Sequence, residues 1–506
     1  MPRKRFYLVL LAVLLAVGTA VFIWNGKVEE VRELLGRESE KTWDQEWSCF
    51  PSADKTVYRM GLFLDVLDKV LYGTSIVTTE NNLRQPLSEL YFTVYPNVFA
   101  KKSSTPAPSC AYRNGFDPGY IEITGVKFQG SPIPYEVEGT RLKLCLKEPL
   151  LPAQKAGIEM TWRVKIPNLA YRFGTRDGVF MLSNFYPVLT VNKGGEWRFA
   201  GETPLGDPFC FACADYLVKL NVPCDYQVIS SGCEEARETG PDGRDTVFIK
   251  AAKARDFVVV ASSQHHRLQG RALNVPVNLF VRWGRDGDAG LLLSKAQKML
   301  EFYACTFGSY PFEELDIIEV PMCGFQGMEY SGVVFLQDRV LEPGFSPEKR
   351  KFLLAHEIAH QWWFGLVGND QSREPWLDEG LANWSAGLYL RRLEGKTNAK
   401  AVRGSKGQDF FRSLDQMNSR SDYLASAYRG GEAFWIGLEE RIGLDETIAV
   451  LRRYIADNRF GIASTGDVLR AVERETDRRL EDYFRLWFKD WQEKGGSVGK
   501  GERGGE

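Results

Sequence analysis

The chain has 506 residues, enough for two or three domains of ordinary size, and is 44% hydrophobic and 26% charged, as globular proteins are. Its formal net charge is −2, so no basic field points to nucleic acid or to an anionic surface as a partner. The nine cysteines are odd in number, which leaves at least one unpaired within a monomer.

Arg3, Lys4 and Arg5 open the chain, and Phe6 to Trp24 then runs apolar without a charge. Nineteen helical residues span about 28 Å, enough to cross a bilayer core. The basic residues before the run put the N-terminus in the cytoplasm and the bulk of the chain outside. Gly18-Thr19-Ala20 is also a pattern a signal peptidase cuts, but the apolar run continues beyond it, so an uncleaved signal anchor is favoured over a cleaved signal. The polar, Glu-rich stretch that follows reads as a stalk.

From about Phe50 to Ser263 the pattern is of strands. Val57 to Val66 alternates apolar and polar residues, and 90–95, 158–164, 216–222 and 256–261 are rich in β-branched and aromatic residues. The expectation is a mostly antiparallel β domain with no catalytic constellation inside it. His265 and His266 at its end read as surface or packing residues. Cys210, Cys213, Cys224 and Cys233 lie close together, but the last gap is wide for a zinc knuckle. A Cys224–Cys233 bridge is the first expectation among pairs.

After Pro276 the period becomes helical over 291–307, with strands at 315–321 and 333–337. Ser346-Pro347-Glu348 opens a helix with an N-cap, a first-position proline and an acid in the first turn. That helix is expected to run to about Phe364, and a second from about Pro375 to Glu394. Helical patterns continue to Gln492, before a Gly-rich tail. The expected division is 1–5 cytoplasmic tail, 6–24 transmembrane anchor, 25–49 stalk, 50–268 β domain, 269–492 catalytic domain and 493–506 disordered tail.

Two of the four histidines stand four residues apart in His356-Glu357-Ile358-Ala359-His360. On a helix such residues share one face, one turn apart, and can hold one Zn²⁺ with the intervening carboxylate acting on a water. Catalytic zinc usually takes three protein ligands. Glu379 or Asp378 on the next helix can supply the third, and helical geometry alone does not choose between them.

His356-Glu357-x-x-His360-x18-Glu379 resembles the zinc metallopeptidases of the membrane alanyl aminopeptidase family, the HExxH-x18-E gluzincins. Gln326-Gly327-Met328-Glu329-Tyr330 is similar to that family's Gly-Ala-Met-Glu-Asn element, and Tyr428-Arg429-Gly430-Gly431 to its Tyr-x-Lys-Gly element. The resemblance covers about Phe50 to Trp491. It implies an α+β chain in which a thermolysin-like mixed α/β and helical domain follows the β domain. It implies one Zn²⁺ held by His356, His360 and Glu379. Glu357 is then the base that takes a proton from a metal-activated water and passes it to the leaving amine, and Tyr428 donates to the oxyanion. Glu329 meets the free ammonium of the peptide, with Gly327 and Met328 beside it and the substrate lying along this segment as an added strand. Asn383 either hydrogen-bonds the outer nitrogen of a ligand histidine or contacts solvent. Tyr423 either helps Tyr428 or packs.

The sequence departs from the family at Gln326, Tyr330 and Gly430, and Arg429 stands one position before the family's lysine. It also looks like a short form without the family's long helical C-terminal domain. An open cleft with weak selection for short peptides is therefore expected. The implied activity is release of N-terminal residues from peptides with a free N-terminus, at a membrane reached through the N-terminal helix. The competing readings are a catalytically silent peptide-binding scaffold, and a zinc endopeptidase or other hydrolase on the same core.

Overall fold

A computed structural model describes residues 56–200, 203–285, 287–394, 411–476 and 480–488. The apolar run 6–24, the stalk and the Gly-rich tail lie outside them. Among the described residues no helix is long and apolar enough to cross a membrane.

The first half is built on an eight-stranded sheet in the order 233–239, 244–254, 214–223, 57–65, 70–80, 155–165, 120–128, 131–132. All its pairs are antiparallel except 57–63 with 215–221. The alternation in Lys155–Lys165 has its physical counterpart: every second residue, Ala156 to Val164, is buried. Two four-stranded sheets complete the core, which runs from Tyr58 to Ala261 and is apolar and aromatic.

A second core runs from Ala272 to Phe484. Its five-stranded sheet has the order 265–272, 275–282, 315–320, 333–337, 327–330. The two central pairings are parallel, and Gly327–Tyr330 is the edge strand, antiparallel to Val333–Gln337. Helices α1 (Ala289–Phe307) and α2 (Pro347–Ala359) pack on it, and α3 (Trp376–Glu394) packs on α2. Beyond α3 come the short α4 (Arg420–Tyr423), a π segment (Leu424–Gly430) and α5 (Gly431–Ile442). A third apolar cluster, from Val179, Met181 and Val260 to Phe280, Ile318 and Met328, joins the two halves.

α2 begins as its sequence demands, with Ser346 accepting from the Lys349 N–H and Pro347 in the first turn. It ends at Ala359, five residues before the expected Phe364, with His360 at the C-cap. Past His360 the backbone widens: the N–H groups of Gly365, Leu366 and Val367 reach the carbonyls of His360, Gln361 and Trp362, five residues back. Trp362 and Trp363, just past the C-cap, are fully buried.

The cysteines also depart from expectation. The bridge is Cys110–Cys323, across 213 residues, and Cys224 and Cys233 are free thiols. Strand 244–254 lies between theirs: the Cys224 N–H bonds Gly243, while Cys233 faces Lys250. Seven extended residues separate those two positions, about 23 Å and far beyond disulfide reach. His265 is a packing residue, buried with Nδ1 on Ser262 Oγ at 2.8 Å and Nε2 on the Glu319 carbonyl at 2.7 Å. His266 stacks on Trp283.

Candidate metal centre

α2 and α3 pack side by side, and their facing turns bring three donors together. Nε2 of His356 and Nε2 of His360 are 3.0 Å apart. Glu379 Oε2 lies 3.2 Å from the first and 3.5 Å from the second. A tetrahedral ion with bonds of about 2.1 Å has ligand–ligand edges of about 3.3 Å, so the triangle has the size of one face of a zinc site. His360 Nδ1 lies 3.0 Å from the Trp363 carbonyl, to which it must donate. That fixes the tautomer and leaves the Nε2 lone pair aimed at the shared centre. Glu379 Oε2 is buried with no hydrogen-bond donor, an orphaned anionic oxygen that a cation would satisfy. The donor set fits one Zn²⁺.

Asp378, the rival third ligand, is turned away. Its oxygens accept from Asn369 Nδ2 at 3.1 Å, Gln371 Nε2 at 2.8 Å and the Glu379 N–H at 3.0 Å. The choice between neighbours that helical geometry left open is made by these two amides.

Glu379 Oε1 takes both tyrosine hydroxyls, from Tyr423 at 2.9 Å and Tyr428 at 2.5 Å. In an α-helix residues five apart diverge by about 140°. The i→i+5 bonding of the π segment stacks them instead, and so both tyrosines face one carboxylate. The Tyr428 ring also lies nearly parallel to that of His356, with centroids 5.7 Å apart. Tyr423 is thus a polar partner of the ligand as well as a packing residue. Leu205, from the β domain, packs on the same tyrosine cluster.

Glu357 and Glu329 lie beside His360, each with a carboxylate oxygen within 4.8 Å of a His360 nitrogen and of the other. Gly327 makes this possible: a Cβ there would lie 2.1 Å from Glu357 Oε1. The room that the missing side chain leaves is taken by the Glu357 carboxylate. Gln371, which the sequence reading did not single out, links Asp378 to Glu329 Oε1 at 3.5 Å. Met328 is buried in the apolar cluster between the halves and points away from this polar site. Asn383 lies beside His356, whose outer Nδ1 has no hydrogen bond of good geometry.

Electrostatics make the centre a cation trap. Burial pushes the Glu357 carboxyl up to about 8 and raises Glu329 well above the ordinary range. Burial also opposes charge on His360, but Glu329, Glu379 and Glu357 outweigh it and raise its basicity. Glu379 alone is held far below the usual range, against its burial, by the two histidines. Asp207, paired with the buried Arg172 of the β domain, adds a further negative field at Glu329 and Glu357. Four buried carboxylates, Glu329, Glu357, Glu379 and Asp207, therefore act on two buried imidazoles in a region largely closed to water.

Residues 292–487 match the model of the Peptidase family M1 domain, and this stretch contains His356, Glu357, His360, Glu379, Glu329, Tyr423 and Tyr428. Among curated proteins, the rice (Oryza sativa subsp. japonica) "Aminopeptidase M1-B" is 23% identical over 320 residues, 55% of this chain and 35% of that protein. The "Aminopeptidase N" of Acetobacter pasteurianus is 26% identical over 178 residues, 33% of this chain and 50% of that protein. The chain thus spans about a third to a half of the length of these relatives. The solved M1 zinc metallopeptidase of Deinococcus radiodurans shares the fold, with a TM-score of 0.62 at 16% identity, covering 86% of this chain and 94% of that one. The matched stretch has its donors on α2 and α3, Tyr423 at the end of α4 and Tyr428 on the π segment. The β domain, outside the matched stretch, contributes Leu205 and the Arg172–Asp207 pair.

Proposed function

We propose that the chain is a zinc-dependent aminopeptidase that releases N-terminal residues from peptides. The observation that carries the reading is the triangle of His356, His360 and Glu379 with two further buried carboxylates, Glu357 and Glu329, on one side of it. Zinc held by that triangle would polarise the scissile carbonyl and acidify a water. Glu357 takes the proton from the attacking water and delivers it to the leaving amine. Its Oε2 is buried with no donor, so the lone pair is free for that work. The Tyr428 hydroxyl, which otherwise donates to Glu379, is the donor at hand for the oxyanion. Glu329, buried and short of positive charge, pairs with the substrate's ammonium and so measures one residue back from the scissile bond. Gly327–Tyr330 is an edge strand along which the peptide extends.

Hydrolysis of aminoacyl-arylamides against their N-acetylated forms, with and without chelator, tests this. Cleavage of the free-amine set alone, abolished by chelator, is the expected result. Equal cleavage of blocked substrates would remove the Glu329 assignment.

We further propose that residues 6–24 anchor the protein in a membrane with the catalytic part outside the cytoplasm. The basic tripeptide before the apolar run supports this orientation. The Cys110–Cys323 disulfide supports an oxidising compartment. Mass mapping of the mature N-terminus together with protease accessibility in intact cells checks it. A chain beginning just after Ala20 would mean a cleaved signal and a secreted enzyme instead.

A further inference from the structure

The centre opens into a cavity of about 630 Å³, and the residues along its walls are ordered by distance from the metal triangle. One wall is α2. His356, Phe352 and Lys349 are spaced by four and three residues, hence one stripe on one helix face. The Phe352 ring lies nearly parallel to His356, at 6.4 Å between centroids. The opposite wall is the π segment and α4. Tyr428, Leu424 and Arg420 are spaced by four and four, and form a second stripe. All six line the one cavity. Each stripe thus starts at the chemistry, passes one apolar side chain and ends in an exposed cation. Arg429 and Lys351 add positive charge at the rim, and Glu348 is the one carboxylate there besides Glu357. Among the described residues Lys349, Arg420 and Arg429 make no ion pair. In a chain of net charge −2, this is a local concentration of positive charge.

We propose that this cleft selects peptides carrying a carboxylate two or three residues beyond the scissile bond, with Lys349 and Arg420 as the specificity-determining residues. The inference rests on the aminopeptidase reading for the direction of the peptide: Glu329 holds its start, so the chain continues between the two stripes. Lys349 is seven residues from His356 along α2, about 10 Å. An extended peptide covers that distance in about three residues. Phe352 and Leu424 flank the intervening residues and favour apolar ones there. The carboxylate can be the C-terminus of a short peptide or an acidic side chain of a longer one; the recognising chemistry is the same.

The test uses four peptides of one length: Ala-Ala-Ala-Ala as free acid, the same as C-terminal amide, Ala-Ala-Ala-Glu amide and Ala-Ala-Ala-Lys amide. The acid and the Glu amide are expected to show kcat/KM roughly fivefold above the neutral amide, since two exposed pairs contribute modestly. The Lys amide falls below it, and the preference shrinks as salt rises. Selection of the acid alone assigns a terminal carboxylate; selection of the Glu amide alone assigns a side chain. In the double variant Lys349→Ala/Arg420→Ala the acid-to-amide ratio falls toward one, and in Arg420→Glu the Lys amide overtakes the Glu amide. Equal kcat/KM on all four peptides in the wild type overturns the proposal. Calorimetric titration of the same peptides into zinc-loaded Glu357→Gln protein reads binding without turnover. Acid-selective binding by the variant, with none of the peptides hydrolysed by the zinc-loaded wild type, refutes the aminopeptidase reading and keeps the cleft. Hydrolysis without selection does the reverse.

Discussion

Gly380 and Gly431 meet backbone to backbone. A Cβ on Gly380 would lie 2.5 Å from the Gly431 Cα, and one on Gly431 would lie 2.6 Å from the Gly380 Cα. This crossing of α3 with the start of α5 seats Glu379, one residue before Gly380, against Tyr428, three residues before Gly431. The metal ligand and the hydroxyl donor are in register because two side chains are missing.

Gly431→Ala should therefore push the helices apart. A loss of about 1–3 kcal/mol in stability is expected, as for other overpacked sites. The Tyr428–Glu379 bond should lengthen, with a larger fall in kcat than in zinc content. Urea denaturation, bound-zinc analysis and initial rates on one preparation check this; unchanged activity would mean that the register does not depend on the contact.

Glu357→Gln keeps the shape beside Gly327 and removes the base. Bound zinc should stay at one per chain while kcat falls by about 10²–10⁴. Retained turnover would refute the role of Glu357.

The two tyrosines separate by kinetics. Tyr428→Phe removes the oxyanion donor and should cost about 10²–10³ in kcat. Tyr423→Phe removes only a bond to the ligand carboxylate, so its main effect should be zinc affinity weaker by about 10–100-fold. Competition with a fluorescent chelator reads the second effect directly.

Cys110–Cys323 ties the β domain to the segment four residues before the Gly327 strand. Cys110→Ser/Cys323→Ser should lower stability by about 2–4 kcal/mol, mainly through the freed unfolded chain. Thermal melts with and without reductant should converge in the variant and differ in the wild type.

His265 supplies a pH dependence. Burial lowers its folded pKa to about 4 from the usual 6.5. Between those values the unfolded chain binds a proton that the folded one refuses. The contribution is intact above pH 6.5 and is lost as pH falls toward 4, by about 3 kcal/mol in all. His265→Gln should flatten that part of the stability–pH curve by comparison with wild type; an equally steep acid limb would place the loss elsewhere.

Much of the centre is local in the sequence, and for that reason legible there. The four-residue spacing of His356 and His360 is a helical period, and Ser346-Pro347 marks where that helix starts. Glu379, with eighteen residues between it and His360, was reachable as one of two neighbours, but the amides of Asn369 and Gln371 are what turn Asp378 aside. The expected end of α2 was late because the apolar run past His360 continues the pattern, while the backbone there switches to hydrogen bonds five residues back.

By itself, then, the sequence placed His356, Glu357 and His360 on one turn of one helix, and the resemblance of its motifs singled out Glu379, Glu329 and Tyr428 as their companions. Spacing within one helix is enough for the first step, because the backbone period is the same wherever the element packs. Only the tertiary structure decided how the elements meet. The Gly380–Gly431 contact, the π segment that turns Tyr423 and Tyr428 to one carboxylate, the Cys110–Cys323 link and the paired stripes ending in Lys349 and Arg420 all join residues with no common period. Their partners are chosen by the shape and charge of packed surfaces, which a linear pattern does not carry.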